Sequence, residues 1–380
     1  MILRQTYRDA VETALKRSPI CALLGPRQCG KTTLARAIAN GIKSHYFDLE
    51  SPRDLLRLQN PELALGELEG LIVLDEIQSR PDLFPVLRVL ADRAGQPARF
   101  LILGSASPEL GKRSGETLAG RIEFVDLHGF DFTETGAGSI GQLWVRGGFP
   151  LSYLANTETD SVAWREGFVR TFLDRDLPQF GVRVGAPAMR RFWTMLAHSH
   201  GQVWNASELG RAMGMSDKTV KTYLDDLSQT YMVRQLQPWF ENLGKRQVKS
   251  PKIYLRDSGL LHHLLGLNTA EELAGHPKAG ASWEGFALEQ ILRISRVRDA
   301  YFWATQSGAE LDLLVLHGGQ RIGYEFKYSE RPTVTRSMRV ACEDLHLDHL
   351  WVICPGNARA KLDANIEVCG INVAPEVMMS

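Results

Sequence analysis

Short apolar runs alternate with helix-period segments over residues 1–127. The runs Cys21–Leu24, His45–Asp48, Leu71–Leu74 and Arg99–Leu103 predict buried strands. Between them the spacing predicts helices near 31–39, 52–58 and 81–93. Strands and helices that alternate in this way build a parallel sheet, since each crossover helix covers one of its faces. Gly, Thr and Ser crowd residues 133–141, which reads as a connector. Residues 160–234 read as helical throughout. A second α/β pattern begins near 251, with strands near 252–255, 300–304, 310–316, 321–327 and 350–354. These shifts divide the chain into 1–135, 136–190, 191–250 and 251–380.

Composition narrows the class. The chain has 380 residues, 44% apolar and 23% charged, which fits an ordinary globular protein of two or three domains. Lys plus Arg is 44 and Asp plus Glu is 44, so the formal net charge is zero. A basic field over the whole surface is thereby excluded, and any DNA contact is expected to be weak and local. No window reaches the roughly 18 apolar residues of a membrane span, so no membrane partner is expected. Met1–Arg8 lacks the apolar core of a signal peptide. Five cysteines without CxxC spacing suggest neither zinc nor a disulfide framework. A reduced, cytoplasmic protein is the expectation.

The strongest chemical signal is Gly25, Pro26, Arg27, Gln28, Cys29, Gly30, Lys31 and Thr32, which fit G-x-x-x-x-G-K-[ST] between a strand and a helix that runs on through Thr33. Such a loop turns backbone N–H groups toward phosphates, and the helix N-terminus adds partial positive charge. ATP and Mg²⁺ are the expected cofactors, with Lys31 on the β/γ-phosphates and Thr32 on the metal. Asp75 and Glu76 end the next buried strand, at the sheet edge where ligands bind. Asp75 is the expected Mg²⁺ partner and Glu76 the expected general base. Ser105 ends another strand. It either senses the γ-phosphate or belongs to an ordinary Ser-rich turn. Arg121 is either a transition-state arginine or a solvated surface residue.

The strings GPRQCGKTT, LIVLDEIQ, LGSAS and LAGR resemble the AAA-type ATPase module of many prokaryotic ATP-binding proteins. LWVRGGFP, FLDRDLP, KTVKTYLDDL, PKIYLRDSGL, ELDLLV and YEFKYS resemble that family's continuation, so the likeness covers nearly the whole chain. It implies a C-terminal domain of unknown function related in fold to PD-(D/E)xK nucleases. The expected architecture is α/β: an AAA-like parallel sheet, a central helical and winged-helix segment, and a restriction-endonuclease-like domain. AAA relatives often form rings, so a homo-oligomer with Arg121 acting in trans is one option.

Ser207–Met213 reads as a short helix ended by Gly214. Ser216 N-caps a second helix over Asp217–Leu227. Val220, Leu224 and Leu227 share its packing face, whereas Lys218, Lys221 and Thr222 lie elsewhere and could meet phosphate. Tyr231–Gln237 reads as a wing strand. Residues 205–252 carry eight Lys/Arg against five Asp/Glu, a modest basic bias. DNA contact and a purely architectural role both remain open.

Further on, Gly318-Gly319 marks a two-residue hairpin. That turn sets Asp312 opposite Glu325 and Glu310 opposite Lys327, all on one face. Facing carboxylates repel, so a divalent cation or Lys327 is needed to offset them. The residue types match D…ExK, with Asp312 and Glu325 as metal ligands, Lys327 as a catalytic lysine, and Glu284 on a nearby helix as a third ligand. The alternatives are a simple cross-strand ion pair, or a retained fold without activity. His198, His200 and the pair His262-His263 lack ligand geometry. Cys29 reads as a tolerated small residue. The expected function is therefore ATP-dependent control of the C-terminal half, which either cuts DNA or binds DNA or protein without cutting.

Overall fold

A computed structural model describes residues 2–95, 97–105, 117–241, 246–297 and 299–375. The chain forms two compact units, one of Met1–Gly129 with Gln229–Tyr231, the other of Phe130–Ser228 with Met232–Ser380.

In the first unit β1 (Ile20–Gly25), β2 (Ser44–Asp48), β3 (Gly70–Asp75), β4 (Ala98–Ser105) and β5 (Ile122–Asp126) form one sheet in the order β2-β3-β4-β1-β5. All its pairings are parallel. The near-continuous apolar runs have a direct cause. Ile20, Ala22 and Leu24 join one core with Ile72, Leu74, Phe100 and Ile102. The alternate residues Cys21 and Leu23 join a second core with Leu71, Val73, Leu101 and Leu103. Both faces are covered, so neither set can be polar. Helix Leu83–Ala91 covers the first face, and helices Gln5–Arg17 and Lys31–Ala39 cover the second. Because the strands are parallel, the C-terminal ends of β1, β3 and β4 share one edge. The phosphate loop, Asp75 and Ser105 lie there.

The second unit opens with helices, among them Ile140–Arg146, Glu158–Thr171 and Ala186–His198. The next two helices are Ala206–Met213 and Asp217–Gln229, joined by a turn in which Gly214 has φ 68° and Ser216 Oγ accepts the Thr219 N–H at 3.2 Å. Val220, Tyr223, Leu224 and Leu227 are buried, and Lys218, Lys221 and Thr222 are exposed. The helical run is interrupted by β6 (Gln202–Val203).

Eight further strands follow: β7 (Val233–Pro238), β8 (Lys252–Leu255), β9 (Ala300–Ala304), β10 (Glu310–His317), β11 (Gln320–Phe326), β12 (His349–Cys354), β13 (Arg359–Asp363) and β14 (Ile366–Gly370). With β6 they make a nine-stranded sheet in the order β13-β14-β12-β11-β10-β9-β7-β8-β6. The segment expected as a wing, β7, lies between β8 and β9 and is an interior strand. Its apolar positions, Val233 and Leu236, are buried, and interior pairing satisfies its backbone.

The β10–β11 hairpin has the expected register, Leu313 with Tyr324 through His317 with Gln320. Gly318 (φ 58°) and Gly319 (φ 82°) both take the left-handed conformation that a type I′ turn requires. No helix among the described residues is long and apolar enough to cross a membrane.

Candidate nucleotide site and carboxylate cluster

The loop after β1 is shaped by close approach. A Cβ on Gly25 would lie 2.0 Å from the Leu127 carbonyl oxygen, and Gly30 has φ 101°, so both positions need glycine. Lys31 is buried, and its Nζ donates to the Gly25 and Pro26 carbonyls at 3.0 and 2.8 Å. Thr32 Oγ1 donates to Asp75 Oδ2 at 2.8 Å, which joins the start of the loop helix to the end of β3. The Tyr46 hydroxyl also donates to Asp75. Burial first, and then the Asp75 carboxylate, push the Tyr46 phenol above its usual pKa and keep it a donor.

Glu76 follows with φ 58° and ψ 48°, an uncommon conformation for a residue with a Cβ. Gln78 donates to its carboxylate, and Asp75 Oδ1 accepts the Glu76 N–H at 3.0 Å. Ser105 Oγ is buried, with no hydrogen-bond partner among the described residues. Such a hydroxyl is costly unless a partner arrives.

The remaining loop residues are divided. Pro26 and Cys29 are buried, Gln28 and Thr33 are exposed, and Arg27 pairs with Glu50 at 3.5 Å. Cys29 packs with its Sγ 3.4 Å from the Leu127 carbonyl oxygen. Arg121 makes a two-pronged pair with Asp92 at 2.6 and 2.8 Å. Arg4 is a residue that motif reading missed. It is buried and donates to the carbonyls of Cys29, His128 and Gly129, pinning the loop from behind. Its signal is faint, a lone cation just ahead of the first helix.

A second polar cluster lies in the other unit. Asp312 and Glu325 are buried neighbours across the hairpin. Asp312 Oδ2 accepts the Phe326 N–H at 3.0 Å. Lys327, just past the end of β11, pairs through its Nζ with Glu325 Oε2 at 2.7 Å, and not with Glu310 as the register alone suggests. The partner of Glu310 is Lys252, one of the eight cations in the 205–252 count. The Lys252 Nζ also lies 3.4 Å from Glu284 Oε1 and 3.5 Å from Asp312 Oδ1. Its side chain is 3% exposed. Tyr254 donates to Glu284 Oε1 at 2.6 Å.

Burial, and then the Asp312 charge, hold Glu284 and Glu325 above the usual carboxylate range. Burial opposes the charge on Lys252, yet the Tyr254 oxygen and the carboxylates hold its pKa above that of an ordinary lysine. Among the described residues no three His, Cys, Asp or Glu side chains converge to hold a metal ion. The signal missed in the sequence was a lysine inside the fully buried strand Lys252–Leu255, where a cation needs a partner.

The basic bias of 205–252 shrinks further because Arg234 pairs with buried Glu289. His200 and His262 are buried, and burial lowers them to about 3 and about 4. His200 Nδ1 accepts the Leu255 N–H, and His262 bonds Val145 and Ser282.

Residues 17–136 match an AAA domain model. Residues 138–271 and 279–373 match two domains of unknown function, DUF8612 and DUF4143. Uncharacterized proteins of Mycobacterium tuberculosis and Mycobacterium bovis are each 50% identical over 366 residues, 96% of this chain and 83% of theirs. The chain belongs to their family of proteins with an AAA-type P-loop ATPase domain. Among solved structures, the Walker-type ATPase of Pyrococcus abyssi is 16% identical with a TM-score of 0.49, over 70% of this chain and 96% of that one. The Thermotoga maritima RuvB Holliday junction branch migration motor is 16% identical with a TM-score of 0.28, over 62% and 90%.

Proposed function

We propose that this protein hydrolyses ATP with Mg²⁺, and that the nucleotide state switches a C-terminal half which contacts its partner without cutting it. The reading rests on one observation, the hydrogen bond between Thr32 and Asp75 beside a buried Lys31. A hydroxyl and a carboxylate at that spacing fit Mg²⁺ and would hold it. The ion would supply charge stabilisation for phosphoryl transfer. Lys31 would exchange its loop carbonyls for the β/γ-phosphates, since charged acceptors bind an ammonium more strongly than neutral ones. The backbone of Gly25–Thr33 would cradle the phosphates. Glu76 would take a proton from the attacking water, and the Ser105 hydroxyl would bond the γ-phosphate. Arg121 would first have to leave Asp92 to serve as a finger, in cis or from another copy.

The four-part division 1–135, 136–190, 191–250 and 251–380 belongs to this proposal, with a winged-helix module third and a nuclease-like module fourth. The exposed Lys218, Lys221 and Thr222 support DNA as the partner. The acids Glu284, Glu310, Asp312 and Glu325 all have partners within the protein, which supports a module that does not cut. The facing of Asp312 and Glu325 beside Lys327 favours a second reading, an ATP-gated nuclease. One experiment separates them: ATP hydrolysis by the full chain with and without duplex DNA, followed by a gel of the same DNA. Hydrolysis that responds to intact DNA is expected. Nicking that Asp312→Ala and Glu325→Ala abolish would establish the nuclease instead.

A further inference from the structure

We propose that Lys252 is a built-in cation that takes the place of a divalent metal in the C-terminal acid cluster and closes that cluster to Mg²⁺ and Mn²⁺. The proposal rests on the non-cutting reading above and names the residue responsible for it. The fold related to PD-(D/E)xK nucleases implies a metal at Asp312 and Glu325, with Glu284 completing the set. The residues present do not fit one. The Lys252 ammonium touches Glu310 and lies 3.4 Å from Glu284 Oε1 and 3.5 Å from Asp312 Oδ1. A metal joining those acids would have to share their space with an ammonium, and two cations at that range repel strongly away from water.

Lys252 is also poorly placed to leave. Its backbone lies in an interior strand, in register with Leu236 on one side and Val203 on the other. Its Nζ lies 5.7 Å from the centre of the Phe302 ring, and its side chain is 3% exposed. A departing ammonium would lose these partners and leave buried carboxylates without their cation.

At least one oxygen of each of three acids has a further partner. Asp312 Oδ2 takes the Phe326 N–H, Glu284 Oε1 takes the Tyr254 hydroxyl, and Glu325 Oε2 pairs with Lys327. An ammonium neutralises charge but offers no Lewis acidity, and no water bound to it becomes a hydroxide at neutral pH. The cluster therefore ties β8 to β10 and to helix Ala279–Ser295, three segments far apart in the chain, as an internal ionic clasp.

Mn²⁺ titration of the nucleotide-free full chain, followed by calorimetry and by the electron paramagnetic resonance of free Mn²⁺, tests this. The wild type should show no Mn²⁺ site that depends on Asp312. Lys252→Ala should gain one, about tenfold tighter or more than any wild-type binding. The double variant Lys252→Ala with Asp312→Asn should lose it again. Lys252→Gln, which keeps a donor toward Glu284 and Asp312, provides a second variant should Lys252→Ala not fold, and it should gain a weaker site. A wild-type Mn²⁺ site that Asp312→Asn abolishes would overturn the proposal. If DNA nicking accompanies that site, the non-cutting reading falls too. A folded Lys252 variant that still takes up no Mn²⁺ overturns the proposal alone and leaves the non-cutting reading standing.

Discussion

Two buried lysines divide the chemistry of this protein. Lys31 is 5% exposed and Lys252 is 3% exposed, and each sits among oxygens. The oxygens differ. Lys31 donates to two neutral carbonyls of its own loop, whereas Lys252 is surrounded by Glu284, Glu310 and Asp312. Both sets of bonds have an ionised donor, but a carboxylate adds a full charge–charge attraction that a neutral carbonyl lacks. Lys31 therefore lacks an anionic partner among those bonds, as its proposed role at the phosphates requires, while Lys252 has anionic partners within the fold. The lesson is that burial of a lysine says little about its role until the charge of its partners is known.

The contrast is broken most directly by Lys31→Ala. Loss of hydrolysis by roughly 10³-fold is expected in a steady-state ATPase assay, because in the proposed role the residue would meet charge that develops in the transition state. Chemical denaturation should move by less than about 1 kcal/mol, since only loop carbonyls lose a donor and water can replace it. Lys252→Ala should behave in the opposite way. About 3 kcal/mol of stability should be lost in the second unit, because buried carboxylates are left without their cation. Nucleotide affinity, read by calorimetry, should stay unchanged. Equal stability losses in the two variants would erase the contrast.

Glu289 sharpens the comparison with the charges reversed. Burial opposes its ionisation, yet Arg234, Arg256 and Arg293 hold its carboxyl well below the usual range. A depressed folded value means that the stabilisation is complete above the ordinary carboxylate value of 4.5 and is lost as pH falls below it. Glu289→Gln should cost on the order of 2 kcal/mol at neutral pH and flatten the acid-side fall of the melting temperature. A wild-type acid limb kept in that variant would show that other carboxylates govern it. The smallest effect is expected at Ser105, whose buried hydroxyl has no partner among the described residues. Ser105→Ala should stabilise the nucleotide-free protein by about 1 kcal/mol while slowing hydrolysis. A loss of stability there would mean that the hydroxyl is already satisfied.

Much of this was legible from local pattern. The phosphate loop is eight consecutive residues, and β3 announces itself as an apolar run ending in Asp75-Glu76. The hairpin register followed from Gly318-Gly319 alone, because a two-residue turn leaves no freedom in pairing. Other features were not legible. The segment read as a wing strand, Tyr231–Gln237, gives no sign of its pairing with β9, which lies more than sixty residues further on. Arg4 was missed because the carbonyls it binds belong to Cys29, His128 and Gly129.

By itself, the sequence determined the parallel sheet of the first unit, the nucleotide loop and the register of the β10–β11 hairpin. Each depends on periodicity, turn stereochemistry or residues that are neighbours along the chain. The tertiary structure alone decided which cation the hairpin acids would meet. Lys252 reaches Glu284 across 32 residues and Asp312 across 60. The choice between Lys327 and Lys252 as the partner of Glu310 depends on how strands stack in the sheet, and no local spacing encodes it. Electrostatic pairing acts through space, so its partners appear only once distant segments are brought together.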